Sequence, residues 1–192
     1  MMSGSDDWAW KIDEAIEIIR HRYDHIGRKT GAPFLALIYD PEAEREVLIR
    51  WRDRAESLKP DFSLVDLDVA EIVSVSVQEL GGPEAVAELM NNPMPGSDPS
   101  AELARVWLGA ISRAVRGALR DSGSGRPVAV LMRLAALHPV TTPRALMQAL
   151  WDEDHASLNG PVVLLIPGRI VQAKNYLFLG EKDEFMYRGD IL

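Results

Sequence analysis

The chain of 192 residues contains no cysteine, which excludes disulfides, thiolate chemistry and cysteine-ligated zinc. A chain that forms no disulfide suits a reducing compartment. The sequence also lacks a run of about 18 apolar residues, the length that a membrane-spanning helix needs. Charges are spread through its N-terminal segment, unlike the basic start and unbroken apolar centre of a signal peptide. We therefore expect a soluble cytoplasmic protein with no membrane partner.

Basic residues are fewer than acidic ones: 21 lysines and arginines stand against 29 aspartates and glutamates, a formal net charge of −8. Binding nucleic acid by bulk electrostatics needs a basic surface, so direct nucleic-acid binding is disfavoured. A local cluster of Arg113, Arg116 and Arg120 still leaves DNA binding as an alternative function, because the spacing of these residues is compatible with one side of a helix.

Apolar runs alternate with amphipathic segments along the chain. Apolar residues between Trp8 and Ile26 recur every three or four positions, which predicts an N-terminal helix over residues 6–28. Short apolar runs predict four buried strands, and the segments between them predict helices. The strands are expected at 33–40, 62–68, 126–135 and 161–167, and the helices at 41–59, 69–80, 83–90, 101–121 and 141–153. The segment 69–80 is rich in β-branched residues, but its place after a strand favours a helix.

This alternation predicts an α/β fold, with a mostly parallel sheet covered by helices on both faces. The tail from residue 174 predicts two short strands around a charged turn, which form a C-terminal strand hairpin. We expect a single domain over residues 1–192, in which the N-terminal helix precedes a core of residues 33–192.

The segment after the last predicted strand partly matches a phosphate-binding loop. Against the pattern G-x-x-x-x-G-K-[ST] it matches at Gly168 and Lys174, but Ala173 replaces the second glycine and Asn175 replaces the hydroxyl residue. A phosphate loop also needs a following helix, whereas the residues after Lys174 are typical of a strand. A turn between two strands is therefore favoured. The alternative is a degenerate nucleotide-binding or phosphotransfer domain that uses Gly168, Arg169 and Lys174.

The chain shows no complete catalytic or metal-binding constellation. His21 and His25 lie one helical turn apart, but the pair lacks the glutamate and the third ligand of zinc-binding helices. The acidic cluster at 151–155 indicates a solvated helix end, and no G-x-S-x-G elbow is present. We therefore predict no catalytic residue, no metal site and no cofactor. Trp107 lies in an apolar stripe, for which core packing is the default and a partner groove the lesser alternative.

Three segments, in this order along the chain, resemble one known family. The first, residues 34–51, reads FLALIYDPEAEREVLIRW and contains the turn Tyr39-Asp40-Pro41. The second, residues 134–150, reads LAALHPVTTPRALMQAL, in which a His-Pro step leads into a helix. The third, residues 162–179, reads VVLLIPGRIVQAKNYLFL, in which Pro-Gly is followed by Asn-Tyr. Together they are similar to the BrxB family of the BREX bacteriophage-exclusion systems.

The resemblance implies an accessory or adaptor protein without catalytic residues. BREX systems methylate host DNA and block phage DNA replication. The implied partner is the PglZ-like component, which resembles alkaline phosphatases, and through it the methyltransferase and the large ATPase. The family's Pro-Gly…Asn-Tyr segment is not a complete phosphate loop, so the resemblance implies that Lys174 is no relic of ATP binding.

Two features depart from the family pattern: Ala173-Lys174 replaces a more polar pair, and residues 74–100 match nothing in it. The candidate partner-binding residues lie in the matching turns and on the long helix: Tyr39, Asp40, Pro41, Trp107, Pro167, Gly168, Asn175 and Tyr176.

Overall fold

The computed structural model describes residues 7–121 and 123–192 and shows an α/β fold with a seven-stranded sheet flanked by helices. Helices α1 to α6 run over Asp7–Arg22, Glu44–Ala55, Val69–Glu79, Pro83–Asn91, Pro99–Arg120 and Pro143–Asp154. Strands β1 to β7 run over Phe34–Tyr39, Phe62–Asp68, Arg126–Met132, Val162–Gln172, Asn175–Phe178, Lys182–Phe185 and Asp190–Ile191. The predicted fold class is confirmed.

Five strands form a parallel sheet in the order β2-β3-β4-β1-β7. At its centre, β1 and β4 pair from Phe34 opposite Val162 to Tyr39 opposite Pro167. Beyond Pro167, β4 continues as one arm of an antiparallel hairpin with β5, and β6 pairs with β5. The predicted C-terminal hairpin is confirmed, and its strands pair with the extension of β4, a central strand of the parallel sheet.

Alternation along the strands divides the core between the two faces of the sheet. Every second residue of β1 from Phe34 packs on the face covered by α3, α5 and α6. The residues between them, from Leu35, pack on the face covered by α1 and α2. All six residues of β1 are buried, because a strand with helices on both faces has no solvent side. This is why β1 reads as a continuous apolar run.

Capping side chains fix where α3 and α6 begin. Asp68 accepts a hydrogen bond from the backbone N–H of Glu71 (3.2 Å) at the start of α3. Thr142 accepts one from the N–H of Ala145 (3.2 Å) at the start of α6. The ambiguous segment 69–80 is therefore a helix, as predicted, and it buries Val73 against the sheet. No described helix combines the length and apolar character required to span a bilayer.

Three predicted elements end earlier in the structure than the sequence indicated. Helix α2 ends at Ala55 instead of residue 59, because a 3₁₀ turn over Glu56–Leu58 follows it. Helix α1 ends at Arg22, because a 3₁₀ turn over Tyr23–His25 and a left-handed Gly27 (φ 63°) redirect the chain. The predicted helix start at Asp6 lies outside the described residues. Strand β3 ends at Met132 instead of residue 135, because Arg133 is also left-handed (φ 58°) and leads into a 3₁₀ turn.

Two other strands differ from what the sequence predicted. Strand β4 does not stop at Pro167 but runs to Gln172. A further strand, β7, was not predicted; it adds two residues in parallel beside β1, with Leu35 opposite Asp190. Both errors have one cause, since pairing partners far away in the sequence decide where these strands lie.

Truncation of β4 tests whether both faces of the sheet are covered. Leu164 and Leu165 are fully buried and face opposite helix layers. Changing either to Ala should lower the free energy of unfolding by about 2–5 kcal/mol in urea titrations. Val171 in the same strand is 55% exposed, so Val171→Ala should change it by less than about 0.5 kcal/mol. A leucine variant as mild as Val171→Ala would show that its face is open to solvent.

Candidate functional site

The carboxyl ends of β1 and β4 meet at one edge of the sheet. Because Tyr39 and Pro167 are register partners, the next residues, Asp40 and Gly168, emerge side by side. Asp40 Oδ2 lies 3.6 Å from Arg169 Nη2. This ion pair joins the first and third motif segments, at the edge where open α/β sheets place ligands.

Asp40 also begins the turn into α2. Its Oδ1 accepts a hydrogen bond from the backbone N–H of Glu42 (3.1 Å), and Pro41 is the first residue of the turn. The ion pair with Arg169 is exposed, with 76% of the arginine side chain accessible, so it adds at most about 1 kcal/mol to stability. The ion pair therefore affects the charge pattern of the surface more than the stability of the fold, because it holds an exposed cation beside an exposed anion.

Helix α1 closes one side of this edge and encloses a cavity of about 470 Å³. Lys11 is buried in its wall, where its Nζ donates to the carbonyl of Ile38 (3.1 Å) and lies 3.2 Å from Asp7 Oδ2. We call this region the carboxyl-edge surface and define it by Trp10, Lys11, Tyr39, Asp40, Gly168 and Arg169. Sequence reasoning missed Lys11, although its position four residues before Ala15 places it on the buried stripe of α1.

An aromatic ring stands at the mouth of the cavity. Trp10 is 53% exposed, and its indole N–H donates to Asp7. This hydrogen bond lowers the pKa of Asp7, and the nearby Lys11 ammonium lowers it further. The surface therefore combines an exposed aromatic ring with charges of both signs, a mixture typical of protein interfaces.

Two buried tyrosines donate hydrogen bonds to carboxylates near this edge. Tyr39 Oη donates to Glu44 (2.9 Å), and Tyr176 Oη donates to Glu184 (2.8 Å). Burial raises the pKa of both phenols, and the charge of each acceptor raises it further. Because neither ring is exposed, these residues position the surface rather than offer a contact to a partner.

Glu184 ties the hairpin to α6, a role that the sequence did not reveal. The side chain is buried, and its Oε2 also accepts the backbone N–H of Arg144 (3.0 Å), in the first turn of α6. A carboxylate is favourable at a helix N-terminus because the exposed amide groups carry partial positive charge. Tyr176, Glu184 and Arg144 thus connect the third motif segment to the second.

The Gly168–Lys174 segment is a hairpin arm and tip, which confirms the favoured strand-to-strand turn. Strand β4 continues to Gln172, and β5 begins at Asn175. A Cβ on Gly168 would lie 2.5 Å from the carbonyl oxygen of Leu177, so the close approach of the two strands requires glycine.

The hairpin separates the residues that a phosphate loop would bring together. Arg169 lies at the base of the arm and Lys174 at its tip. The strand from Arg169 to Gln172 alone spans about 10 Å, and Lys174 lies beyond it. A strand follows Lys174, so no helix N-terminus faces either side chain within this hairpin. The arrangement offers no anion cradle of the phosphate-loop kind.

Two other candidate contact residues point inward. Trp107 is 7% exposed and packs in the core beneath α5, as the default interpretation expected. Asn175 is half-buried, and its Oδ1 accepts no hydrogen bond from the described residues. On α5 the neighbouring Val106 is exposed instead.

The arginine cluster on α5 does not form one basic face. Arg116 lies 2.9 Å from Glu153, and Arg120 lies 3.1 Å from Asp121, so acidic neighbours neutralise both. Across residues 7–121 and 123–192, no group of three or more histidines and acidic residues could hold a metal ion.

Comparison with known proteins adds no identification: no protein-family model matches the chain, and no curated protein matches it. The resemblance to BrxB therefore rests on the three sequence segments, whose positions in the fold are described above.

The raised pKa of Tyr176 predicts a loss of stability in alkaline solution. In the unfolded chain the phenol ionises near pH 10, whereas in the folded protein it keeps its proton. The unfolded state thus loses a proton first, and the free energy of unfolding falls as the pH rises above about 10. The expected slope is about 1.4 kcal/mol per pH unit for this residue.

Urea unfolding at about pH 9 and about pH 11 measures this slope. Tyr176→Phe should reduce it by the contribution of one tyrosine. Tyr187, which is 61% exposed, supplies the control variant Tyr187→Phe, which should keep the wild-type slope. Equal slopes for all three proteins would contradict the prediction.

Proposed function

We propose that this chain is a non-catalytic accessory protein of a BREX-type anti-phage system and that it binds a PglZ-like component through the carboxyl-edge surface. The observation that supports this proposal is a convergence. Two of the three segments that resemble BrxB contain β1 and β4, which are far apart in the sequence but neighbours in the sheet. The other segment follows β3, the second neighbour of β4, and contains most of α6.

Specific contacts hold these segments together. The Asp40–Arg169 ion pair joins the first to the third, and the buried Tyr176–Glu184 hydrogen bond, with the N–H of Arg144, joins the third to the second. Core packing accounts for the pairing of β1 with β4 but not for Asp40 and Arg169, whose side chains are exposed beyond the buried parts of these strands. A shared edge with exposed polar groups is better explained by a common binding role.

The chemistry of the surface suits a protein partner. Trp10 and Arg169 are both exposed, and tryptophan and arginine are the residue types most enriched where interfaces gain their affinity. The cavity between them has room for an anchoring side chain of the partner. Polar groups around an apolar pocket give such a contact its orientation.

An adaptor role explains how a chain without catalytic residues would take part in a BREX-type system. Its link to the methyltransferase and the large ATPase runs through the PglZ-like protein. It works in the cytoplasm, where these components meet DNA, and it leaves DNA binding to them because its own net charge is −8.

Co-purification from the native operon tests the proposal. A tagged copy should recover a PglZ-like protein in stoichiometric amount, identified by mass spectrometry. Arg169→Glu places a second carboxylate beside Asp40 and should lower the affinity about tenfold or more. Arg120→Glu is a matched control, since Arg120 is 73% exposed and also pairs with an aspartate, but it lies at the end of α5.

Two outcomes would contradict the proposal separately. Recovery of no PglZ-like protein by the wild-type chain, with the whole operon expressed, would refute the partner. Equal recovery by folded Arg169→Glu and Arg120→Glu variants would refute the surface.

A further inference from the structure

The acidic residues of this chain are unevenly distributed. Between residues 60 and 104 there are nine aspartates and glutamates and no lysine, arginine or histidine. The formal net charge of this stretch, −9, exceeds the −8 of the whole chain, so the remainder is slightly basic. The stretch includes α3, α4 and the start of α5, and none of these elements lines the cavity at the carboxyl-edge surface.

Helix α4 carries apolar residues that residues 7–121 and 123–192 leave exposed. None of its residues is buried, and Leu89 remains 55% exposed. Between α4 and α5 lies a largely apolar cavity of about 160 Å³, lined by Val86, Met90, Met94 and Val106 among others. Met94 is 75% exposed, so both walls of this cavity offer apolar surface to solvent.

A second cavity, of about 390 Å³, lies between α3 and α5. It is lined by Val75 and by Ala110 and Ala114 of α5. Because Val106 and Ala110 are four residues apart, the two cavities follow each other along one side of α5. From Glu102 to Ala114 this side is about 18 Å long, the length of a helix of three to four turns.

Acidic side chains border this apolar floor. Glu102 lines the first cavity, and Glu71 and Glu79 line the second. One arginine, Arg113, also reaches the second cavity. We call the combined feature the acidic groove and define it by Val75, Glu79, Leu89, Met94, Glu102 and Val106.

We propose that the acidic groove binds an amphipathic helix of a partner protein, with an apolar stripe flanked by lysines and arginines. Apolar residues of the helix would cover Leu89 and Met94, and its basic residues would meet the glutamates. Methionine suits such a groove because its flexible side chain adapts to different apolar partners. Charge complementarity gives the contact its specificity and speeds association.

Charge also argues against a second copy of the chain, a nucleic acid or an anionic membrane as the occupant of the groove. A second copy of the chain docked groove to groove would place the acidic borders against each other, which is electrostatically unfavourable. Nucleic acids and anionic membranes would be repelled by the same glutamates. The proposal goes beyond the PglZ-like interaction, because it concerns a different surface and makes no use of the BrxB resemblance.

Peptide binding to the full-length chain tests the proposal. The probes are a panel of fluorescein-labelled helical peptides of about 14 residues, with leucine or phenylalanine at i, i+3, i+4 and i+7 and lysine or arginine elsewhere. One matched peptide carries glutamate in place of the basic residues, and another keeps the composition but scatters the apolar ones. In fluorescence anisotropy, basic amphipathic peptides should bind at least about tenfold more tightly than both matched peptides.

Variants of the chain locate the contact. Leu89→Asp and the pair Glu79→Lys with Glu102→Lys should each weaken binding about tenfold or more. Glu46→Lys with Glu181→Lys is the matched control, because it makes the same change in net charge at exposed sites outside the groove. This control should bind as the wild type does, and circular dichroism melts should show all variants folded.

Three results would overturn the proposal. The first is that no peptide of the panel binds the wild-type chain more tightly than its acidic match. The second is that the control pair weakens binding as much as the groove pair, which would indicate a response to net charge alone. The third is a wild-type dimer in sedimentation that Leu89→Asp converts to a monomer, which would mean that a second copy covers the groove.

Discussion

The parallel pairing of β1 with β4 is the constraint on which the rest of this molecule depends. Six consecutive residue pairs, from Phe34 opposite Val162 to Tyr39 opposite Pro167, join the first strand to a strand more than a hundred residues later. Over these six pairs both strands are buried on both faces, so a slip of one residue would turn each side chain towards the wrong helix layer. The register is thus fixed by the whole core.

This register determines what stands at the carboxyl edge. It places Asp40 next to Gly168 and Arg169, and it lets β4 continue past the sheet into the hairpin. Glu184 in that hairpin then holds the N-terminus of α6 through a buried carboxylate. The strand pairing joins the first segment to the third, and Glu184 joins the hairpin to the second. This convergence is what supports our proposal of a single partner-binding surface.

The sequence was most informative where local chemistry decides the structure. β1 and β2 were predicted to within one residue, since continuous apolar runs bounded by turn residues are typical of buried strands. The structure also places Asp40 at a turn and Thr142 at a helix start, positions that the side chains of these residue types favour. The glycine at 168 was noticed, but for a phosphate loop that the fold does not form.

Contacts between residues that are far apart in the chain could not be predicted from the sequence. The Asp40–Arg169 ion pair requires the β1–β4 register, and the role of Glu184 requires the position of α6 relative to the hairpin. Lys11 left a weak signal, a charged residue on the buried side of α1, but its acceptor on Ile38 could not be named without the fold. The candidate surface was therefore predictable in its turns and not in its contacts.

Hydrogen–deuterium exchange of the chain, alone and with the purified PglZ-like protein, tests the central claim most directly. The account predicts slower amide exchange in the complex at residues 39–42 and 167–170 together, because one partner would cover both turns. Unchanged exchange at both turns in a formed complex would contradict it, as would protection confined to residues 83–106.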